Sequence, residues 1–271
     1  MDLMETVRGR RSVRSFDGRS VPEEQLRELL RFAESAETPY GQEITWRVLD
    51  AKAQRLSCPV ITGTNTFIAG KMLRVPHAEE AFGFAFERVV LFAASLGLGT
   101  TWIGGTMDRP AFEHAMQLKD GEVMPCVSPL GFPAAKMSLR ESMMRKGVKA
   151  DSRMLFEDLF FDGDLVTPLS CEKAGELSDA LEMIRLAPSA VNKQPWRVVV
   201  SGDTVYFYEK KSRGFVSADG WDMQKIDMGI AMCHFVCAME ENGRAIVFSL
   251  EDPGLTHAND MEFTAAFRLL P

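Results

Sequence analysis

The chain has 271 residues, a formal net charge of −7 and 46% hydrophobic residues. That length holds one large domain or two of ordinary size, and either can bury a core. The acidic balance argues against general attraction to nucleic acid or anionic membranes, and no apolar run reaches the ~18 residues of a membrane span.

The first residues read as a short helix. Asp2 and Glu5 fall where a secretory signal would carry its apolar core, so the expectation is a cytoplasmic protein. Arg8, Arg10, Arg11 and Arg14 then place four arginines in seven residues of an acidic chain. A solvated basic loop would look like this; so would a phosphate clamp, because the guanidinium fork matches phosphate oxygens. Ser20-Val21-Pro22-Glu23 has the spacing of a capping box, and Leu26, Leu29, Leu30 and Ala33 mark the buried face of the helix it starts. A loop follows over 34–45, then predicted strands at 46–51 and 58–63. Residues 80–96 form a helix that is apolar on nearly every face, so it is expected to be buried all round. Gly97 and Gly99 end it. Residues 100–105 read as a strand running into Gly104 and Gly105, where a ligand could approach backbone N–H groups closely. A helix is predicted at 109–118, and an apolar edge strand over 123–130, interrupted by Pro125 and Pro129. After Gly131-Phe132-Pro133 comes a second basic cluster: Lys136, Arg140, Arg145 and Lys146.

The later half repeats the earlier one. Leu30-Arg31-Phe32-Ala33-Glu34-Ser35-Ala36 lies 154 residues before Ile184-Arg185-Leu186-Ala187-Pro188-Ser189-Ala190. Trp46-Arg47-Val48 matches Trp196-Arg197-Val198, and Gly83 and Gly97 match Gly229 and Gly243 with equal spacing. A period near 150 is domain-sized, so residues 1–149 and 150–271 are expected to be two fused copies of one unit. In the second, a helix is predicted at 173–187, strands at 196–201 and 204–209, an all-apolar helix at 226–240, and strands at 245–250 and 263–269. The fold class is α+β: two repeated α/β units, with sheets covered by helices and one long buried helix in each. That is a dimer fused into one chain with pseudo-twofold symmetry, expected to be a stable monomer. Between the second copy's first helix and strand lies a polar loop, Pro188-Ser189-Ala190-Val191-Asn192-Lys193-Gln194, bounded by Pro195. It carries amide donors and acceptors but no nucleophile–base pair, which suits gripping a heteroatom ring or polyol. The five cysteines include no CxxC pair, so free thiols are expected. Cys233-His234-Cys237 lies in an apolar helix, and no metal is expected there.

Arg10-Arg11-Ser12-Val13-Arg14-Ser15-Phe16, Gly99–Gly105, Leu130–Pro133 and Pro188–Trp196 together resemble the nitroreductase superfamily of FMN-dependent oxidoreductases, over essentially the whole chain. In most of that family FMN sits at a homodimer interface. Here the arginine-rich motif is in the first copy only and the intact polar loop in the second only. This resembles the single-chain members in which one polypeptide mimics the dimer, and one FMN per chain is expected. The resemblance implies that Arg10, Arg11, Ser12 and Arg14 hold the FMN phosphate, ribityl chain and pyrimidine edge, with Lys136, Arg140 or Arg145 helping at the phosphate. It places Trp102, Ile103, Gly104 and Gly105 beside the isoalloxazine, the two glycines aiming N–H groups at N5 and O4. It brings Pro188, Ser189, Ala190, Asn192 and Gln194 to the flavin from the other copy. The chain departs from the family in having glycine rather than an acid at 104, and it has only Asn65 as partner for the pyrimidine ring. The implied activity is ping-pong transfer from NADH or NADPH through the flavin to a small electron-poor acceptor, such as a nitroaromatic or quinone, with no catalytic side chain required. A flavin sensor or store without turnover would use the same residues.

Overall fold

The computed structural model describes residues 3–217 and 220–271; Asp2, read above for its charge, lies outside them. The chain divides into two compact units. Arg8–Ala150 makes up the first, while Asp151–Pro271 makes up the second together with the N-terminal residues up to Val7. Helix α1 (Leu3–Gly9) therefore begins in the second unit, where Leu3 N–H donates to Glu241 at 2.8 Å.

In the first unit α2 (Glu23–Glu34) leads to the hairpin of β1 (Thr45–Asp50) and β2 (Thr66–Leu73). The helix starts at Glu23, with Pro22 at its N-cap and no side-chain cap, so the expected Ser20–Glu23 box does not form. The ring at Pro22 keeps Val21 out of the helical region, which delays the helix past the reach of Ser20. The hairpin also corrects the second predicted strand. Residues 58–61 turn instead, with Ile61 N–H donating to Cys58 O, because Pro59 interrupts that β-branched run. The strand lies at 66–73, where Gly70 and Lys71 hide its pattern. Gly70 is needed there: a Cβ would stand 2.9 Å from both Trp46 and Ile44 side-chain carbons. Lys71 is tolerated because its ammonium meets Glu122 at 2.6 Å and the carbonyl of Gln117 at 2.8 Å.

Helix α3 (Ala78–Ser95) follows, buried as expected but also burying Glu80 and Glu87. Phe82 and Phe86 pack it against Trp46 of β1, and Phe92 stacks on Phe32 of α2 at 4.1 Å. Residues 99–103 are extended but form isolated bridges rather than a strand, Gly99 to Gly131 and Ile103 to Val127. Then come α4 (Arg109–Ala115), β3 (Glu122–Val123), β4 (Val127–Leu130) and α5 (Leu139–Gly147). The predicted 123–130 strand is thus two short ones, split where Pro125 withholds its N–H. Both pair with the same edge of β2.

The second unit opens with α6 (Phe156–Leu159) and β5 (Phe160–Asp162), then α7 (Cys171–Ala174) and α8 (Ser178–Leu186). One continuous helix was expected over 173–187. Gly175, at φ +55°, breaks it into α7, a 3-10 turn and α8. Strands β6 (Trp196–Ser201) and β7 (Thr204–Lys210) form a hairpin across Gly202-Asp203, with Gly202 at φ +60° as a two-residue turn requires. Helix α9 (Met223–Glu241) starts three residues before the predicted 226, at a cap where Asp222 accepts from Gln224 N–H. Strands β8 (Ile246–Ser249) and β9 (Met261–Leu269) complete a sheet of order β5-β6-β7-β9-β8. The first unit's order, β1-β2-β4 with residues 99–103 bridged to β4, is the counterpart of β6-β7-β9-β8. No described helix is long and apolar enough to cross a membrane.

Candidate functional site

Two clusters of buried polar side chains stand out, one in each unit.

The first is built on the extended arginine segment. Val13 N–H donates to Thr100 O, and Thr62 N–H donates to Arg14 O, so the segment is held on both sides by backbone bonds. A Cβ at Gly99 would collide with Val13 at 2.9 Å, which is how the glycine admits this strand-like crossing. The crossing sends Arg10 inward, its side chain only 6% exposed, with Nε 3.9 Å from Glu87 of α3. Glu87 is in turn held by Trp102, whose indole N–H donates to its Oε2 at 3.0 Å. Trp102 is wedged against Phe86 at 4.8 Å. A chain of contacts thus runs from the aromatic core to the first arginine. Burial pulls the Arg10 guanidinium below its ordinary pKa, opposed by Glu87 and reinforced by Arg145; burial does the same to Arg14.

Of the three basic candidates after Pro133, the fold brings only Arg145 to this cluster. Arg145 Nη1 lies 3.5 Å from Ser12 O, and its charge is felt by both Arg10 and Arg14. Arg140 turns away to donate to Pro59 O at 2.8 Å, and Lys136 is exposed. Arg11 pairs with Glu141 of α5 at 3.6 Å. Arg10 Nε, Arg11 Nη1 and Arg14 Nε are buried without a hydrogen-bond acceptor. Buried guanidinium donors converging without acceptors are what a phosphate group would satisfy, so the residues present fit the FMN phosphate.

Geometry at the glycine pair is mixed. Ile103 is buried in the core and exchanges both backbone hydrogen bonds with Val127, so neither its side chain nor its N–H faces a ligand. This removes it from the expected contacts; the β-bridge took its backbone and the apolar core its side chain. Among the described residues no backbone bond uses the N–H groups of Gly104 or Gly105. Arg109 fixes the turn, donating to the carbonyls of Gly104, Met124 and Pro125 at 2.5, 2.7 and 2.9 Å. A Cβ at Gly105 would meet nothing, and one at Gly104 only Pro125 O at 3.9 Å, so the structure itself does not demand glycine there.

The second cluster holds the polar loop. Val191, Asn192 and Gln194 take φ of +44°, +60° and +50°. Three non-glycine residues of four in the left-handed region, one of them β-branched, is a strained arrangement. The loop's own polar groups hold it closed. Gln194 N–H donates to Ser189 Oγ at 2.9 Å, Gln194 Oε1 accepts from Met154 N–H at 2.9 Å, and Asn192 Nδ2 donates to Ser152 O at 3.0 Å. Arg153 reaches Leu186 O and Asn192 Oδ1. Beneath it, buried Asp227 of α9 accepts Ala190 N–H with both oxygens, at 3.0 and 3.1 Å. Ser189, Asn192 and Gln194, expected as flavin contacts, therefore serve first as the loop's internal fastenings; Pro188 and Ala190 are half-buried beside them. Val191 is 57% exposed, so its strain is not offset by packing. Val191→Gly is expected to stabilise the protein by about 1 kcal/mol, read as a rise in the urea midpoint; a fall would mean that the valine is not strained.

Opposite Trp196 across the β6–β7 ladder stands Glu209, buried, with Oε1 unbonded. Burial and then Asp222 push its carboxyl from 4.5 up to about 7, while Lys211 and Lys225 oppose the shift. Burial likewise pushes Asp227 well above the ordinary carboxyl range. A carboxyl raised in the folded state stabilises it at pH below the unfolded value and loses that contribution as pH rises through the folded one. The stability of the protein relative to Glu209→Gln is thus expected to fall between pH 4.5 and about 7, then level off. A gap independent of pH over that window in urea melts would contradict this.

Glu87, Trp102 in its role toward Glu87, Glu141 and Asp227 were not singled out as site residues from the sequence. The available signal was an acid inside a mostly apolar helical run for Glu87 and Asp227, and an acid four residues before Arg145 for Glu141.

Residues 2–239 match the family described as "Putative TM nitroreductase", and the chain belongs to that family. Among solved structures, a nitroreductase of Thermotoga maritima, itself described as putative, is 21% identical at a TM-score of 0.66, covering 100% of this chain and 95% of that one. At that identity the likeness establishes the fold: a nitroreductase-like fold with two units in one chain. A "Putative NADH dehydrogenase/NAD(P)H nitroreductase" of Bacteroides thetaiotaomicron (21% identity, TM-score 0.44) covers 51% of this chain and 90% of that one. An FMN-dependent nitroreductase of Clostridium difficile (18% identity, TM-score 0.42) covers 52% of this chain and 94% of that one. No curated protein matches the sequence.

Proposed function

We propose that the chain is an FMN-dependent NAD(P)H oxidoreductase acting on a small electron-poor acceptor. Family membership supports an oxidoreductase, and the observation that carries the flavin reading is the arginine cluster of the first unit, whose buried guanidinium nitrogens lack acceptors and stand ready for a phosphate. In this reading Arg10, Arg14 and Arg145 hold the phosphate. Glu87, anchored by Trp102, keeps Arg10 turned toward it. Ser12 supplies a polar edge between Arg11 and Arg14. The N–H groups of Gly104 and Gly105, kept out of the ladder by the Arg109 grip on the carbonyl side, would donate to the ring. Bound FMN would supply the redox chemistry, taking hydride from a nicotinamide and passing electrons to the acceptor. No side chain of the cluster has to move a proton. Ser189, Asn192 and Gln194 enter this reading only as the family resemblance implies. The active species is proposed to be a monomer near 30.2 kDa in the cytoplasm.

The test is spectroscopic. Purified protein mixed with FMN should show flavin absorbance that survives desalting. NADH or NADPH should bleach it within seconds, and a quinone or nitroaromatic should restore it. Flavin that stays bound yet resists both nicotinamides would point instead to a sensor or store. Failure to retain FMN at all would end the flavin reading.

A further inference from the structure

We propose that Glu141 is an internal competitor for the phosphate seat. Its carboxylate stands as a resident anion among the guanidinium groups and sets how strongly they hold an incoming phosphate monoester. The inference deepens the flavin reading above and takes from it only the identity of the phosphate's carrier.

Three observations carry it. Glu141 lies on α5 four residues before Arg145, about one helical turn, so the same helix face delivers one carboxylate and one guanidinium to the arginine segment. The Glu141 side chain is 1% exposed, and its charge is felt by Arg14. It is not clamped: the nearest guanidinium nitrogen, Arg11 Nη1, is 3.6 Å away, and neither carboxylate oxygen has a hydrogen bond. Arg11 Nη1 and Arg14 Nε also lack hydrogen-bond partners.

A carboxylate that braces arginines does so through short bidentate bonds of about 2.7–2.9 Å. Glu87 is at least held in place by one bond, from the Trp102 indole at 3.0 Å. Glu141 has no such bond to lose. What it contributes is charge, placed where burial weakens screening. The cluster sets Arg10, Arg11, Arg14 and Arg145 against Glu87 and Glu141, leaving two positive charges, the match for a phosphate monoester dianion. Neutralising Glu141 leaves three. A dianion entering the cluster is repelled by Glu141 and attracted by the same arginines that Glu141 partly neutralises. Both effects weaken phosphate binding.

The experiment compares dissociation constants of FMN and riboflavin, which differ only in the phosphate, for the full chain and for Glu141→Gln and Glu141→Met. The ratio of the two constants within one protein isolates the phosphate, because a general loss of folding or ring contacts cancels. Each variant is expected to raise the preference for FMN over riboflavin by about 10-fold or more. A preference unchanged or reduced in whichever variant folds would overturn the proposal and make Glu141 a brace. Calorimetric titration with inorganic phosphate forms a separate arm. If no protein binds FMN, the flavin reading fails, and tighter inorganic phosphate binding by the variants would still support the competitor. Equal, weaker or absent phosphate binding in that arm would overturn it.

Discussion

Phe86→Ala is expected to destabilise the first unit by about 3–5 kcal/mol, a large share of the roughly 5–15 kcal/mol that holds a typical domain folded. Phe86 is fully buried, and its ring contacts Trp46 at 5.5 Å, Phe82 at 5.2 Å and Trp102 at 4.8 Å. Three aromatic neighbours cannot collapse into the space of one ring without leaving their own rotamers, so most of the cavity should persist. The consequence reaches the candidate site. Trp102 holds Glu87, and Glu87 faces Arg10. A loosened indole should therefore weaken retention of FMN at temperatures where the variant is still folded. The checks are a urea melt and flavin loss on desalting. A destabilisation under 1 kcal/mol would show that the aromatic cluster repacks, and the link from core to Arg10 would fall with it.

Arg10→Ala is expected to weaken FMN binding by about 10- to 100-fold, the worth of one charge-assisted bond of about 1.5–3 kcal/mol. Two effects add. The phosphate loses a donor, and the buried Glu87 carboxylate, still bonded by the Trp102 indole, loses the Arg10 charge opposite it. The double variant Arg10→Ala with Glu87→Gln should recover part of the loss, because it removes a negative charge from beside the phosphate seat. Unchanged affinity in Arg10→Ala, measured by fluorescence titration, would move the phosphate site elsewhere. Full recovery in the double variant would mean that the loss came from Glu87 rather than from the missing donor.

Much of the fold was legible because it rests on short-range patterns. The β6–β7 hairpin was placed to within a residue, since Trp196–Ser201 and Thr204–Lys210 are dense in β-branched and aromatic residues around a glycine turn. Helix α3 was visible from its apolar run. The misses have physical causes. Strand β2 carries a glycine and a lysine in its middle, and each is acceptable only because of a neighbour far along the chain: Trp46 for Gly70, Glu122 for Lys71. The reading at 58–63 followed β-branched residues that Pro59 keeps out of a ladder. The capping box failed because spacing alone does not say where a proline lets a helix begin.

What the sequence by itself determined is the repeat, the α+β class and the arginine-rich segment, because each is written in local pattern: hydrophobic period, turn residues and the density of one charge. It also pointed to the polar loop between α8 and β6. Tertiary structure alone decided which residues meet. It selected Arg145 over Arg140 and Lys136, since of these three candidates Arg145 alone reaches the arginine segment, while Arg140 turns to Pro59 O. It drew Ile103 into the core and turned Ser189, Asn192 and Gln194 into fastenings of their own strained loop. It also gave Glu87, Glu141 and Asp227 their roles, because a buried carboxylate acquires its meaning from the charges and N–H groups that distant parts of the chain bring within a few ångströms. Coulombic and hydrogen-bond energies depend on separation in space, and sequence spacing specifies that separation only within a single helix or strand.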